Sequence, residues 1–341
     1  VEIYKTRYDN FISSIKGGTN MKKRLWALLL AMLCLCIALI GCGKKKEEVV
    51  SDKIKVVTSN YPMYDFTKRI AGDTLEVVNL VPPGTEPHDW EPSVQDIAQL
   101  EEAKAFIYNG AGMETWVEKV LESLNNKELL VVEASQRVDL LKAEEHEEEH
   151  EHEHEHEGHE EHHHHHGEWD PHVWLSLRAA QVEMENIKNL LVEVNPEQKE
   201  VYEENYQKAI KEFQSLDEEY KTALSSFKGK EIVVAHEAFA YLCRDYDLHQ
   251  LGIEGVFADS EPSPAKMKEI IDFVKEHQVK VIFFETLASP KVAEAIAKET
   301  GASTDMLNPL EGLTEEEIAA GKDYLSVMRE NLESLKKAFV E

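Results

Sequence analysis

The segment from residue 144 to 168 contains only glutamate, histidine and glycine, and it constrains the fold more than any other part of the chain. It offers no apolar side chain to bury, so we expect a disordered loop between two structured regions. Imidazole and carboxylate groups are common ligands of divalent metals. An affinity tag would lie at a terminus, and an acidic linker would not need histidine. We therefore predict auxiliary, low-affinity metal binding by the histidines of this Glu-His segment, which are His146, His150, His152, His154, His156, His159, His162, His163, His164, His165 and His166.

The region that follows Met21 has the pattern of an export signal. Basic residues at 22–24 precede an apolar run at 25–40, which ends in Gly41-Cys42. This arrangement predicts a bacterial lipoprotein signal peptide at 21–41, with Cys42 as the lipidated residue and 42–52 as a tether. The alternative is a transmembrane anchor, but an apolar run of about 16 residues is shorter than the roughly 20 residues that span a bilayer.

Residues 1–20 precede this plausible start methionine. Residues 16–20 have the sequence expected from in-frame translation of a purine-rich ribosome-binding site. We therefore expect residues 1–20 to be upstream DNA that has been translated in frame by mistake.

The chain carries a net charge of −29 with histidine neutral. This charge argues against nucleic-acid binding through phosphate neutralisation. It would also repel anionic lipid, so the acyl group on Cys42 would have to provide the membrane attachment. Of the four cysteines, Cys34 and Cys36 fall in the predicted signal peptide, which leaves Cys243 after lipidation of Cys42. A single thiol forms no disulfide framework, and we expect Cys243 in the core.

Two regions, 53–143 and 229–341, alternate short β-branched runs with helical patterns. Such alternation predicts parallel sheets covered by helices. Between them, 169–228 forms a return segment with an almost continuous helical period from 176 to 227, broken only at Asn195-Pro196. We therefore predict the α/β class, with two lobes that each hold a mostly parallel sheet flanked by helices. A long rigid linker helix joins the lobes.

Local signals also predict where several helices begin. Ser263-Pro264 and Ser289-Pro290 each combine a capping residue with proline at the first helical position. Thr314 and Glu317 have the spacing of a capping box. Residues 237–246 predict a helix directly after a strand.

Three isolated histidines occupy positions at which an α/β protein binds ligands. His88 and His172 each lie in a proline-stiffened loop, and His236 follows the first strand of the second lobe. Ligands bind such sheets at the carboxyl ends of the strands. One such histidine alone would be an ordinary surface residue, but three in these positions predict a common site. His249 and His277 lack this placement, and we expect them to be surface residues.

Four motifs that surround these positions resemble a known family. They read Pro-His-Asp-Trp-Glu-Pro at 87–92, Asp-Pro-His-Val-Trp at 170–174, Ala-His-Glu-Ala-Phe at 235–239 and Leu-Asn-Pro-Leu-Glu at 307–311. In this order, and together with the histidine-rich insertion, they resemble zinc-binding lipoproteins of bacterial ABC importers. Those solute-binding proteins are related to streptococcal metal-binding lipoproteins once described as adhesins.

The resemblance implies a metal held between two lobes by one ligand from each motif. Carried over, the ligands are His88, His172 and His236, with Glu311 as the carboxylate. Asp305, Glu285 or a water molecule are alternatives for this fourth position. The resemblance further implies capture of Zn(II), delivery to a cognate ABC permease and its ATPase, and an extracytoplasmic location with a lipid anchor. We expect a monomer.

Ligand type favours zinc over manganese, because imidazole suits zinc whereas manganese prefers oxygen. Manganese-binding members of the family place glutamate where this chain has His236. A protein for manganese or another divalent metal is the alternative, and a zinc-dependent hydrolase is a weaker one. Glu237 could serve as a general base, but neighbouring residues at a helix start point apart. We find neither a His-Glu-x-x-His helix nor a Gly-x-Ser-x-Gly elbow and predict that the protein is not an enzyme. The sequence does not bear on an adhesin role.

Overall fold

The computed structural model describes residues 53–143, 167–257 and 262–339. These ranges contain two four-stranded sheets in which all paired strands are parallel. The first sheet has the order β2-β1-β3-β4 and the second has the order β6-β5-β7-β8. The strands are β1 Lys55–Thr58, β2 Glu76–Asn79, β3 Ala105–Tyr108, β4 Leu130–Glu133, β5 Lys230–His236, β6 Leu248–Glu254, β7 Val281–Phe284 and β8 Ser303–Met306.

Helices flank both sheets and connect them, as the α/β class requires. In the described ranges they are α1 Tyr61–Ala71, α2 Val94–Glu102, α3 Val117–Ser123, α4 Leu177–Val194, α5 Lys199–Leu224, α6 Ala240–Tyr246, α7 Pro264–Glu276, α8 Lys291–Thr300, α9 Glu315–Ala319 and α10 Tyr324–Phe339. The predicted class with two parallel-sheet lobes and a long helix between them is confirmed. In these ranges, no helix has both the length and the apolar character that crossing a membrane requires.

Several predicted helix starts agree with the structure and two do not. Ser263 caps α7 and Thr314 forms a capping box with Glu317. The predicted cap at Ser289 is wrong, because Pro290 is the residue before α8 and no side chain caps it. The helix predicted from residue 237 begins at Ala240. Glu237 stays outside it because its carboxylate accepts the Gly252 amide of the neighbouring strand.

The predicted linker consists of two helices that pack on each other. Asn195 ends α4, and a short 3-10 turn at Pro196–Gln198 precedes α5, which is 26 residues long. Helix α5 packs against α1 beside the first sheet and against α10 at the end of the chain. The helical break at Asn195-Pro196 is therefore where the sequence predicted it.

Aromatic rings join the helices of the two lobes in one continuous core. The Phe213 ring on α5 lies 5.7 Å from Phe66 on α1 and stacks on Tyr324 of α10 at 5.0 Å. Nearby, Arg69 of α1 forms an ion pair of 2.6 Å with Asp323, which precedes α10. These contacts pack the helices of the two lobes against one another. Cys243 is buried in the same core, as predicted.

Glu183 of α4 is a buried carboxyl group in an unfavourable environment. The residue is fully buried, and neither of its oxygens has a hydrogen-bond partner in the described structure. Burial and the neighbouring Glu114 raise the pKa of Glu183 well above its ordinary value. Burial also raises the pKa of Glu114 to about 6. Glu183 is therefore neutral in the folded protein at neutral pH.

Replacing Glu183 with methionine should stabilise the metal-free protein at neutral pH. Methionine has a similar length but buries no unpaired polar group, and burial of such a group costs about 1–3 kcal/mol. The pKa of Glu183 is higher in the folded protein than in the unfolded chain, so proton binding by Glu183 stabilises the fold at low pH. This contribution is lost as the pH rises from the pKa of the unfolded chain towards that of the folded protein. The gain from Glu183→Met, measured by urea unfolding, should therefore be larger at pH 7.5 than at pH 5. Glu193→Met, at an exposed position of the same helix, is the control and should show no such pH dependence. An equal gain at both pH values would contradict this account.

Candidate metal centre

Four side chains from separate parts of the chain meet between the two sheets. His88 lies in the loop after β2, and His172 precedes a 3-10 turn at the start of α4. His236 is the last residue of β5, and Glu311 lies in the loop after β8. One potential ligand atom from each of these residues lies within 4.8 Å of the other three. The structure thus brings together the four residues that the sequence pointed to.

The distances between these atoms match those between the ligands of a tetrahedral ion. The Nε2 atom of His172 lies 3.2 Å from the Nε2 atoms of both His88 and His236. The Oε1 atom of Glu311 lies 3.1, 2.9 and 3.2 Å from Nε2 of His88, His172 and His236. Zinc bonds of about 2.0 Å in a tetrahedron separate neighbouring ligand atoms by about 3.3 Å. The donor set therefore fits a small four-coordinate cation.

The site is almost fully enclosed. His172, His236 and Glu311 are buried, and the side chain of His88 is the most accessible of the four at 5% exposure. The second carboxylate oxygen of Glu311 is also buried and has no hydrogen-bond partner in the described structure. The phenyl ring of Phe257 faces His88 edge-on at 5.8 Å.

A carboxylate behind each of two imidazole rings sets the orientation of that ring. Oδ1 of Asp170 lies 2.8 Å from Nδ1 of His172 and also accepts the His172 backbone amide. Oε1 of Glu285 lies 2.7 Å from Nδ1 of His236 and accepts the His236 amide in the same way. A proton on each Nδ1 atom leaves the lone pair of Nε2 directed into the site. Such outer carboxylates fix the ring orientation of metal-binding histidines and raise their basicity.

The alternatives for the fourth position lie outside the group of four atoms. Glu285 contacts the far side of the His236 ring. Asp305 is on β8, where it contacts Lys337 at 3.5 Å near the surface. His249 and His277 are exposed, as predicted. Cys42 and the histidines of the Glu-His segment lie outside the described residues.

Sequence reasoning missed the roles of Asp170 and Glu86. Asp170 stands two residues before His172 in the Asp-Pro-His motif, and this spacing could have suggested its role. Glu86 accepts the backbone amide of His88 at 3.1 Å. Burial and the neighbouring Glu311 raise the pKa of Glu86 to about 9, so Glu86 is neutral. No sequence pattern indicated that a second glutamate would be buried beside the ligands.

The protonation states of the four residues follow from burial and from their neighbours. Burial opposes charge on His236 and His172, but Glu285, Glu311 and Asp170 outweigh it, so the pKa of each of these two histidines is raised. For His88 burial prevails, and its pKa is lowered. Burial would raise the pKa of Glu311, but the surrounding imidazoles, His236 above all, hold it well below its usual value. The surroundings therefore favour the ionised form of Glu311 and the protonated forms of His172 and His236, and they disfavour the protonated form of His88.

Comparison with known proteins identifies the family. The family model described as "Zinc-uptake complex component A periplasmic" (ZnuA) matches residues 56–338. The chain belongs to this family. It is 42% identical over 319 residues to the "High-affinity zinc uptake system protein ZnuA" of Bacillus subtilis, which covers 92% of this chain and 98% of that protein.

A further relative is streptococcal and is represented by both a sequence and a crystal structure. The "Zinc-binding lipoprotein AdcA" of Streptococcus pneumoniae is 43% identical over 311 residues, a match that covers 91% of this chain. The chain spans only 60% of the length of that relative. The crystal structure of the Zn(II)-bound ZnuA-like domain of the same pneumococcal protein has a TM-score of 0.70 and 41% identity, and it covers 84% of this chain and 98% of that domain.

Metal binding at this site should release protons. A histidine binds a metal only when its ligand nitrogen is unprotonated, and the raised pKa values of His172 and His236 favour protonation of these rings. We expect Zn(II) binding to release protons in a number that rises as the pH is lowered, and we expect the affinity to fall as the pH is lowered. Titration calorimetry in buffers of different ionisation enthalpy measures this number. Binding enthalpies that do not depend on the buffer would contradict the protonation states described above.

Proposed function

We propose that this protein captures Zn(II) between its two lobes and delivers it to an ABC permease with its ATPase. The ligands are His88, His172, His236 and Glu311. The observation that carries this proposal is the close grouping of four ligand atoms, in which five of the six pairs are separated by 2.9–3.2 Å. Family membership supports it, because relatives carry the names of zinc uptake and zinc-binding proteins and one was crystallised with Zn(II).

The ligand set also argues for zinc as the cognate metal. Three imidazole nitrogens and one carboxylate oxygen form a four-coordinate set of the kind that zinc adopts. Manganese prefers more oxygen ligands and binds more weakly in most sites. The two carboxylates behind His172 and His236 support this preference, because they make the imidazoles more basic.

Carriage is a better explanation of this site than catalysis. Catalytic zinc keeps one coordination position open for water or substrate, whereas structural and closed sites use four protein ligands. Here four protein atoms lie within 4.8 Å of one another, which suffices for four-coordinate zinc, and their side chains are almost fully enclosed. These observations support a solute-binding protein that is not an enzyme.

Further parts of the proposal rest on the sequence. We propose that 21–41 is removed, that Cys42 carries the lipid anchor, and that the monomeric protein works outside the cytoplasmic membrane. We also propose that the histidines of the Glu-His segment collect Zn(II) with lower affinity. Each metal bound there must order a flexible chain, a cost that a preformed site does not have.

The decisive test removes one proposed ligand in the absence of the Glu-His segment. Deletion of 144–167 should leave one tight Zn(II) site in protein purified without a tag. Adding His236→Ala should then weaken Zn(II) binding by at least about 100-fold. The metal loses one ligand, and His172 and Glu311 lose a contact that helps to hold them in place. Competition with a chromophoric chelator measures both affinities.

The matched controls are His249→Ala and His277→Ala, which replace exposed histidines and should leave the affinity unchanged. If His236→Ala binds Zn(II) as tightly as the deletion protein alone, His236 is not a ligand and the proposed site is wrong. If the deletion protein folds but has no tight site, the tight site lies in the deleted segment.

Metal preference gives an independent test at the same position. His236→Glu replaces a neutral nitrogen ligand with an anionic oxygen ligand, which should narrow the ratio of Zn(II) to Mn(II) affinity. Zinc should still bind more tightly, because the Irving–Williams order favours it in most sites. Parallel titrations with both metals measure the ratio. An unchanged ratio would mean that residue 236 does not contact the metal.

A further inference from the structure

A buried hydroxyl group of the second lobe contacts the segment that carries His172. Tyr241, on α6, is fully buried. Its hydroxyl donates a hydrogen bond of 2.8 Å to the backbone carbonyl of Asp170 and accepts one of 3.0 Å from the backbone amide of Leu141. The Asp170 amide in turn donates to the Leu141 carbonyl at 2.9 Å. The hydroxyl thus joins two backbone segments that also bond to each other.

These bonds determine where the Asp170 carboxylate lies. The Asp170 amide bonds to Leu141 and the Asp170 carbonyl bonds to Tyr241, so both sides of the residue are held. Its side chain then accepts both the ring Nδ1 proton and the backbone amide of His172. A displacement of Asp170 would therefore rotate or shift the His172 ring, which must present Nε2 to the metal within a few tenths of an ångström.

Tyr241 also lies close in sequence to another proposed ligand. Helix α6 begins four residues after His236, which ends β5. Arg244 of the same helix donates to the Asp139 carbonyl at 3.0 Å, and Asp245 accepts a hydrogen bond from Ser176. One short element of the second lobe therefore connects the positions of His172 and His236 through protein contacts alone.

We propose that Tyr241 is a positioning residue for zinc binding that acts through Asp170 to orient His172. This inference rests on the function proposed above and adds to it a residue that does not touch the metal. Its ring packs with Ala111, Val173 and Ala179. Phenylalanine can therefore keep the packing and remove only the hydroxyl.

The test compares Tyr241→Phe with wild type in the full chain. At one equivalent of Zn(II), the variant should release the metal about three- to tenfold faster to a chromophoric chelator in stopped-flow experiments. This is less than the 10–100-fold effect typical of a direct partner of a ligand, because Tyr241 acts one contact further out.

The matched control is Tyr220→Phe. Tyr220 is also fully buried and also donates to a backbone carbonyl, that of Met328 on α10. Both variants should lower the melting temperature of the metal-free protein, but only Tyr241→Phe should speed zinc release.

A double-mutant cycle with Asp170→Ala separates positioning from general destabilisation. If Tyr241 acts through the Asp170 carboxylate, then Tyr241→Phe should have no further effect on zinc release once that carboxylate is gone. Additive effects of the two substitutions, or equal effects of Tyr241→Phe and Tyr220→Phe on release, would overturn the proposal.

A measurement on the wild-type protein does not depend on how the variants fold. In the zinc-loaded protein, NMR should detect a slowly exchanging proton on Nδ1 of His172, held by Asp170. Absence of a proton on this nitrogen would also overturn the inference. These outcomes differ from a failure of the proposed function. In that case the protein that lacks residues 144–167, with no other change, would not bind Zn(II) tightly.

Discussion

A carboxylate buried among three imidazole rings is the interaction on which this site depends. Glu311 is almost completely enclosed, and a buried charge is costly unless it is paired and hydrogen-bonded. Its Oε1 atom lies within 3.2 Å of a ring nitrogen of each of the three histidines. Those histidines come from both lobes, so the contacts of Glu311 join the two lobes at the site. The same contacts that make the buried carboxylate tolerable therefore gather the four donor atoms.

This preformed geometry is supported by contacts that lie further from the site. Asp170 and Glu285 fix two rings, and the stack of Phe213 on Tyr324 holds the long helix against the last one. The conformational entropy lost in ordering these groups belongs to folding and not to metal binding. Support is unequal among the three histidines. In the described structure, no carboxylate contacts Nδ1 of His88, and His88 is also the most accessible of the four side chains.

Sequence reasoning identified the four residues of the proposed site but not the residues that support them. His236 was predictable because the carboxyl ends of parallel strands form the ligand-binding edge, and Glu285 occupies the equivalent position after the neighbouring strand. Glu285 was considered only as a ligand, because a strand end does not reveal which side of an imidazole a carboxylate will face. Tyr241 and Glu183 carry no signal of their own in a helical pattern. Their roles depend on which backbone groups the fold brings beside them, and this is determined by tertiary packing alone.

The charges around the site explain how such an enclosed pocket can accept a dication. The imidazoles hold the pKa of Glu311 well below its usual value, so its carboxylate is ionised. Carboxylates raise the pKa of His172 and His236, whereas burial lowers that of His88. Zinc requires unprotonated imidazoles. Asp170 and Glu285, which contact these two rings, and Glu311 favour the protonated imidazoles and would equally favour a bound cation. Acidification should therefore oppose zinc binding, because protons and zinc compete for the same nitrogen atoms.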